Sequence, residues 1–538
     1  MPRLNLKLTL AFPVAAILFA GYLYLSWLAN NDLAEGRYSL FMDEWVSFDN
    51  IRPILHADHF VDFIRALIGH DQRYGRTLYY LSAIVAALPE ALAGPTGQII
   101  ATRMFVTLTL VGALAVLSFG LVRNWLLSLL CFVSLMSLPF VDYFATLPKP
   151  EPLQLLFLAI FLVAFFAYQR RVGWPWLFFG LAFGAKISVV VIGPALALIA
   201  ALARSGEGGK ADAARSMGYF VLGWIASVPV LLKGVDGIRR YLNGTFLNTG
   251  HGADSPDINL IAWLDYAGRF LSIPKWHTLV FYGLLLTLTG LAAVVLLRNE
   301  FKDHQRTGWL DQLASVLRAD QAAGVLIAAC GLIMLASVML GVHRIWGHYL
   351  FPGMALLVTG FFISADRLSR RGPVLASVAW LAVVGLVTST PFMLHNRTLG
   401  FERLAQRTSN DVYIRKKAEY DALIGLLVDA NARLDRRVMV FLEPRMFTPD
   451  NRKEWRIDSF YGAFRSWDSA RDFVILYREH MEPPPLNDRS KTAIEKAAAL
   501  DGFRRHTLQE GAMRCAEKPC YRVRELKERV RVLERVDP

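Results

Sequence analysis

The amino-acid sequence predicts a mainly α protein: a polytopic transmembrane helical bundle of about 11 spans, then a C-terminal soluble α/β domain. Three observations carry this. Hydrophobic residues make up 54% and charged residues 19% of the 538 positions, against roughly 45–50% and 25% in globular proteins. Mean hydropathy is accordingly positive, at +0.35. Apolar runs near the length a spanning helix needs recur through residues 1–394, and the composition turns polar and arginine-rich over 395–538. The 34 Phe, 18 Tyr and 13 Trp exclude a disordered chain, and four cysteines are too few for a disulfide scaffold. A formal charge of +13 would suggest nucleic acid in a soluble protein. Here Lys and Arg beside spans account for it, and no nucleic-acid partner is expected.

Taken in order, Leu8 to Leu28 follows Arg3 and Lys7 and lacks a small-residue cleavage site, so it predicts an anchor rather than a removed signal peptide. Polar sequence runs from Asn30 to Arg76, within a first outer loop over 29–97. Spans are predicted at 98–121, 125–145 and 153–168. Trp174 to Ala203 is too long for one span, and Lys186 and Gly193-Pro194 divide it into two shorter helices. Further spans are predicted at 218–233, 276–297, 321–341, 346–364 and 373–394. Every second connection carries the basic excess: Arg123, Gln169-Arg170-Arg171, Arg204 to Arg215, Arg298 to Arg318, and Arg367 to Arg371. With these loops cytoplasmic, the others face outward. Counting Thr77 to Leu92 as a span would reverse that alternation, so it is predicted to be an interfacial helix on the outer side.

The outward domain reads as a helix near Tyr413 to Leu434, strands Arg437 to Leu442 and Phe473 to Tyr477, a helix near Lys491 to Leu500, and strands Phe503 to Leu508 and Tyr521 to Leu526. Cys515 and Cys520 suit a local disulfide on an oxidising side of a membrane, while Cys131 and Cys330 read as packed core residues.

Groups able to do chemistry recur in the predicted outer corners. Asp43 and Glu44 precede Trp45 just beyond the first apolar run. A solvated turn is the plain reading of such a pair, but two acids at a membrane surface are costly unless partnered or used. Lys149 and Glu151 lie in the proline-rich corner Leu147-Pro148-Lys149-Pro150-Glu151-Pro152, where Glu151 also reads as a favourable charge at a helix N-terminus. Lys186 interrupts the apolar run Phe178 to Val191, and an ammonium at such depth needs an anion or a water-filled cavity. Arg344, His348 and Tyr349 fall in a short connection that also reads as an interfacial aromatic belt. The first outer loop adds His70, Arg73, Tyr74 and Arg76. Carboxylates and fixed cations on one membrane face are what joining a water-side nucleophile to a lipid phosphate requires.

In this order the pieces resemble the GT-C superfamily of polytopic glycosyltransferases, particularly protein O-mannosyltransferases and lipid A aminoarabinose transferases. The resemblance is carried by Asp43-Glu44, Gly75-Arg76-Thr77-Leu78-Tyr79-Tyr80, Ala101-Thr102-Arg103, Glu151 before an apolar run, Gly180 through Lys186, and Gly347-His348-Tyr349-Leu350-Phe351-Pro352. It covers about residues 1–365 at the level of pattern. The chain departs from the family in carrying Glu151 where Asp is usual, Ile187 after Lys186, and Gly75-Arg76 in place of paired prolines.

The resemblance implies an inverting transfer of sugar from a polyprenyl-phosphate sugar donor. Asp43 would be the catalytic base, with Glu44 and Glu151 beside it. Lys186, Arg344, His348 and Tyr349 would hold the donor phosphate, and His70, Arg73, Arg76 and Lys149 would support the acceptor or the loop. A departing phosphate is weakly basic and calls for charge stabilisation rather than a general acid. No cofactor is required by this chemistry; a divalent metal is left open, the sequence offering no dense ligand cluster. The expected partners are the lipid-linked donor, membrane lipids, and a lipid, envelope-glycan or protein acceptor. The alternative is a polytopic transporter of an anionic solute, for which an intramembrane lysine and many spans also speak. The charge alternation fits a bacterial inner membrane with the C-terminal domain in the periplasm.

Overall fold

The computed structural model describes residues 42–57, 59–68, 75–146, 148–202, 209–242, 260–271, 274–303, 322–341, 347–394, 411–442, 453–458, 471–477, 513–515, 520–527 and 530–536. The described residues from 46 to 394 belong to one compact unit, and those from 411 onward to a second.

The first unit is helical. Six of its helices are long and apolar enough to cross a membrane: Thr77–Gly94, Gly97–Leu121, Lys275–Leu296, Ala323–Leu340, Phe351–Leu368 and Pro373–Leu394. Four shorter apolar helices, Trp125–Ser137, Glu151–Ala167, Pro175–Ala185 and Ile187–Leu202, complete the set among the described residues. The predicted anchor Leu8 to Leu28 lies outside them. Phe351–Leu368 is buried along almost its whole length, packed against Ala323–Gly341, Lys275–Asp303, Trp125–Ser137 and Pro373–Val387.

Several expected spans are interrupted, each for a local reason. The run predicted over 125–145 stops at Ser137, because Leu138 is extended ahead of Pro139 and Phe140 turns at φ 71°. A separate short helix, Val141–Thr146, follows. The stretch Trp174 to Ala203 divides as its length required: helix Pro175–Ala185 ends at Lys186, which is extended at φ −157°, ψ 130°. A 3₁₀ turn, Ile187–Ile192, and helix Gly193–Leu202 come next. The run predicted over 218–233 is also two pieces, helix Gly209–Ser227 and a 3₁₀ turn Pro229–Lys233. Thr77 to Leu92, expected to be interfacial, belongs to the helix Thr77–Gly94, which meets the length and composition of a span and turns at Gly94.

Close packing fixes the Lys186 break in place. Helices Pro175–Ala185 and Gly209–Ser227 touch through small residues four apart, Gly180 and Gly184 on one and Gly223 and Ser227 on the other. A Cβ at Gly180 would strike the Phe220 carbonyl, and one at Gly184 would strike the Ser227 side chain.

Loops of one charge class meet one another. Asp366, beside the basic Arg367 to Arg371 turn, accepts the Arg123 backbone N–H at 2.9 Å. Gly173, next to Arg170-Arg171, donates its N–H to Ser216 Oγ at 2.9 Å, just beyond Arg215. At the other ends of the helices, Arg76 N–H donates to the Ser227 carbonyl at 2.7 Å, and Ser47 Oγ donates to the Pro148 carbonyl at 2.9 Å.

The second unit packs helix Asp411–Leu434 on a sheet of six described strands: β1 Val438–Leu442, β2 Trp455–Asp458, β3 Phe473–Tyr477, β4 Met513–Cys515, β5 Cys520–Lys527 and β6 Val530–Arg535. The order is β2-β1-β3-β6-β5-β4. The pairings of β1 with β2 and with β3 are parallel; the rest are antiparallel. Leu423, Leu427 and Ala430 of the helix bury against Val438, Val440, Leu442, Phe473, Ile475 and Val532. Cys520, opposite Cys515 across β4 and β5, is disulfide-bonded; Cys131 and Cys330 are free and buried. The expected helix Lys491 to Leu500 and strand Phe503 to Leu508 lie outside the described residues.

Candidate functional site

Four of the predicted site residues, Glu151, Lys186, His348 and Tyr349, meet inside the first unit. Glu151 begins helix Glu151–Leu162, whose first turn is stiffened by Pro150 and Pro152. Its side chain is 2% exposed, and its Oε1 accepts from Lys186 Nζ. His348, on the 3₁₀ turn Gly347–Tyr349, places Nε2 3.5 Å from the same oxygen, and its own side chain is 5% exposed. Oε2 is buried with no hydrogen-bond partner among the described residues.

The break at Lys186 is what brings the ammonium here. The Lys186 N–H still makes the last ladder bond, to the Ala182 carbonyl, while its own carbonyl, past the end of the helix, accepts from Gln154 Nε2. Gln154 also donates to Ser188 Oγ at 3.0 Å, so one amide spans both sides of the break. Gln154 lies one turn after Glu151 on the same helix, and that turn therefore supplies both the anion and the clamp. The Lys186 ammonium lies 4.2 Å from the Tyr349 ring centroid, a cation–π distance, and its side chain is 13% exposed.

Aromatic rings close around His348. Tyr143 stacks on it at 5.3 Å with an interplanar angle of 19°, Tyr349 lies at 4.4 Å, and Phe144 and Phe140 present edges at 6.3 and 6.5 Å. Phe140 holds a left-handed backbone rarely adopted by a bulky residue, a cost of order 1–3 kcal/mol sustained only where packing fixes it. It stacks on Phe270 at 5.7 Å.

Of the remaining predicted residues, Arg76 is buried and fully engaged. It donates to Asn50 Oδ1, to the Ala66 carbonyl and, at 3.1 Å, to the Leu67 carbonyl, and it lies 5.0 Å from the Tyr79 ring. It thereby caps helix Phe60–Ile68 and ties it to helix Met42–Leu55. Lys149 is half-buried beside Pro150. Asp43 and Glu44 lie in the first turn of Met42–Leu55, with side chains outside the described residues. His70, Arg73 and Arg344 also fall outside them. No group of three or more His, Cys, Asp or Glu among the described residues is placed to hold a metal ion.

Sequence reading did not select Gln154, Ser188, Tyr143 or Phe140 as site residues. The aromatic run Phe140 to Phe144 directly after Pro139 was the available signal, and Gln154 was legible as a lone amide in an apolar helix.

No family model and no curated protein matches this chain. A solved structure does. The chain is similar to the crystal structure of ArnT from Cupriavidus metallidurans bound to undecaprenyl phosphate, over 96% of this chain and 97% of that one. Identity is 15% and the TM-score 0.42, a likeness in the course of the chain from which no residue's role is taken.

Proposed function

We propose that this chain is an integral-membrane inverting glycosyltransferase, moving a sugar from a polyprenyl-phosphate sugar to a lipid, envelope-glycan or protein acceptor on the extracytoplasmic face. One observation carries the reading: a buried carboxylate, ammonium and imidazole share one helix break, at the bundle end where the predicted outer corners meet. A merely structural ion pair is seldom retained in so apolar a setting, and polar groups built into a membrane protein mark a functional path by default.

In the reaction, the acceptor O–H or N–H attacks the anomeric carbon from the face opposite the phosphate. The new bond to carbon forms as the bond from carbon to the phosphate oxygen breaks, and the proton passes to Asp43. The lipid phosphate leaves with the bonding pair, so it needs cations and no proton. Lys186 and His348 supply charge at this point, with Arg344 suited to bidentate contact. Glu151 holds the ammonium in position before the donor arrives, and Tyr349 bounds its swing. Glu44, Lys149, His70 and Arg73 serve the acceptor side.

The test is sugar transfer by the purified chain from a polyprenyl-phosphate sugar. Asp43→Asn should lower turnover by about 10²–10⁴-fold while leaving donor binding intact. Unchanged transfer in that variant removes the assignment of the base, and solute uptake into vesicles without any transfer overturns the enzyme reading.

A further inference from the structure

Helix Phe60–Ile68 and the segment formed by the 3₁₀ turn Pro229–Lys233 and helix Val235–Leu242 pack together. Ile68 lies in a small cluster with Val228, Val230, Leu231 and Tyr241, which Ile187 also joins, the residue after Lys186. Within that segment the 3₁₀ turn folds closely onto its own helix: a Cβ at Gly237 would strike the Val230 carbonyl. What the pair leaves uncovered is apolar. Phe60 is 76% and Val235 81% exposed, with Val61, Ile64, Leu232 and Ile238 exposed around them.

Beside this patch runs a basic flank. On Val235–Leu242 the residues divide by helical spacing into three strips. Gly237 and Tyr241 are buried, Val235 and Ile238 form an apolar strip, and Asp236, Arg239 and Arg240 are exposed on the third, with Lys233 exposed just upstream. On Phe60–Ile68 the polar side is self-neutralised, Arg65 donating to Asp62 at 2.8 Å. The uncompensated charge is therefore positive and lies on one edge of an apolar surface.

We infer that these two helices form a platform that lies on the outer surface of the bilayer, apolar strip inserted, with Lys233, Arg239 and Arg240 binding anionic phospholipid headgroups. A helix with one apolar and one basic strip settles at the boundary between headgroups and acyl chains. One sequence fact agrees with that depth. In the topology that the charge alternation predicts, the loop over 29–97 and the connection after 218–233 both fall on the face without the basic-loop excess, so the platform's charge is not part of the topology signal. Ile187, next to the Lys186 break, packs against the same small cluster as Ile68. The inference stands on this surface and does not depend on which reaction the chain performs.

The test uses the full chain in nanodiscs. Ile64→Cys and Val235→Cys each carry an environment-sensitive fluorophore, with Cys131 and Cys330 buried and Cys520 disulfide-bonded. Both probes should emit as in an apolar medium and be quenched more by phospholipids spin-labelled near the headgroup than by those labelled at mid-chain. In mixed discs the protein should enrich fluorescent phosphatidylglycerol over phosphatidylcholine at its boundary. Lys233→Gln, Arg239→Gln and Arg240→Gln should each reduce that enrichment, by up to roughly fivefold per charge at low salt. These side chains are exposed, so folding should be kept; Arg239→Lys and Arg240→Lys should keep the enrichment as well. Water-like emission from both probes, with no quenching at either depth, overturns the platform. Enrichment unchanged after all three neutralisations overturns the lipid preference.

Discussion

Two buried acids, one in each unit, have opposite surroundings. Asp472, ahead of β3, is engaged on both oxygens: Oδ2 accepts the Met439 N–H at 2.7 Å and Arg436 Nη1 at 3.0 Å, while Oδ1 accepts Arg436 Nη2. Its own N–H donates to the Met439 carbonyl and its carbonyl accepts from Arg535, so it locks β1, β3 and β6 together. The guanidinium it binds is itself half in solvent, and the hydrogen bonds to Asp472 raise the Arg436 pKa above its ordinary value. Glu151, at the Lys186 break, has all its described partners on one oxygen and nothing on the other. A carboxylate with both oxygens committed holds a structure still. One with a buried oxygen to spare, facing a lysine that a competing anion could take, is arranged to exchange partners.

The contrast can be broken at its strongest point first. Glu151→Ala leaves an ammonium and an imidazole without their anion, and should cost about 3–5 kcal/mol, because the lost partner is buried. Thermal unfolding of the full chain in detergent checks this, and adding Lys186→Met should recover much of the loss; no recovery would mean that the cluster is held by something other than charge. Next comes Lys186→Met alone, which should weaken binding of the lipid phosphate by about 10- to 100-fold, the scale of one charge-assisted contact. Normal donor affinity in that variant would return Lys186 to a purely structural role. The smallest effect belongs to the second unit. Asp472→Ala should lower its stability by about 1–3 kcal/mol, the cost of stripping a buried N–H of its acceptor, read as faster amide exchange at Met439 with sugar transfer unchanged. Loss of transfer there would end the division between the two acids.

The helices were legible because burial in lipid is a property of each run of residues. Strands β1 and β3 were also readable from their apolar runs, whereas β6, Val-Arg-Val-Leu-Glu-Arg, was hidden by its charges. Its period-two alternation was present, but only pairing between β3 and β5 shows why charged residues belong inside a sheet. In the site, Lys186 stood out because an apolar context makes one cation conspicuous. Gln154 did not, because a neutral amide gains its meaning from the carbonyl it reaches, and that carbonyl is set by the helix break.

What the sequence determined by itself is therefore whatever follows from transfer free energy counted locally: which segments are apolar enough to leave water, where proline or an ammonium ends them, and which loops share a sign of charge. Only the tertiary structure decided that Glu151 and Lys186, 35 positions apart, form an ion pair, that His348 joins them from a distant turn, and that Arg76 is spent on capping a helix. Those pairings depend on glycine-sized clearances between helices and on the angle at which a broken helix resumes. Such quantities are properties of packing, and no local count of hydrophobicity or charge contains them.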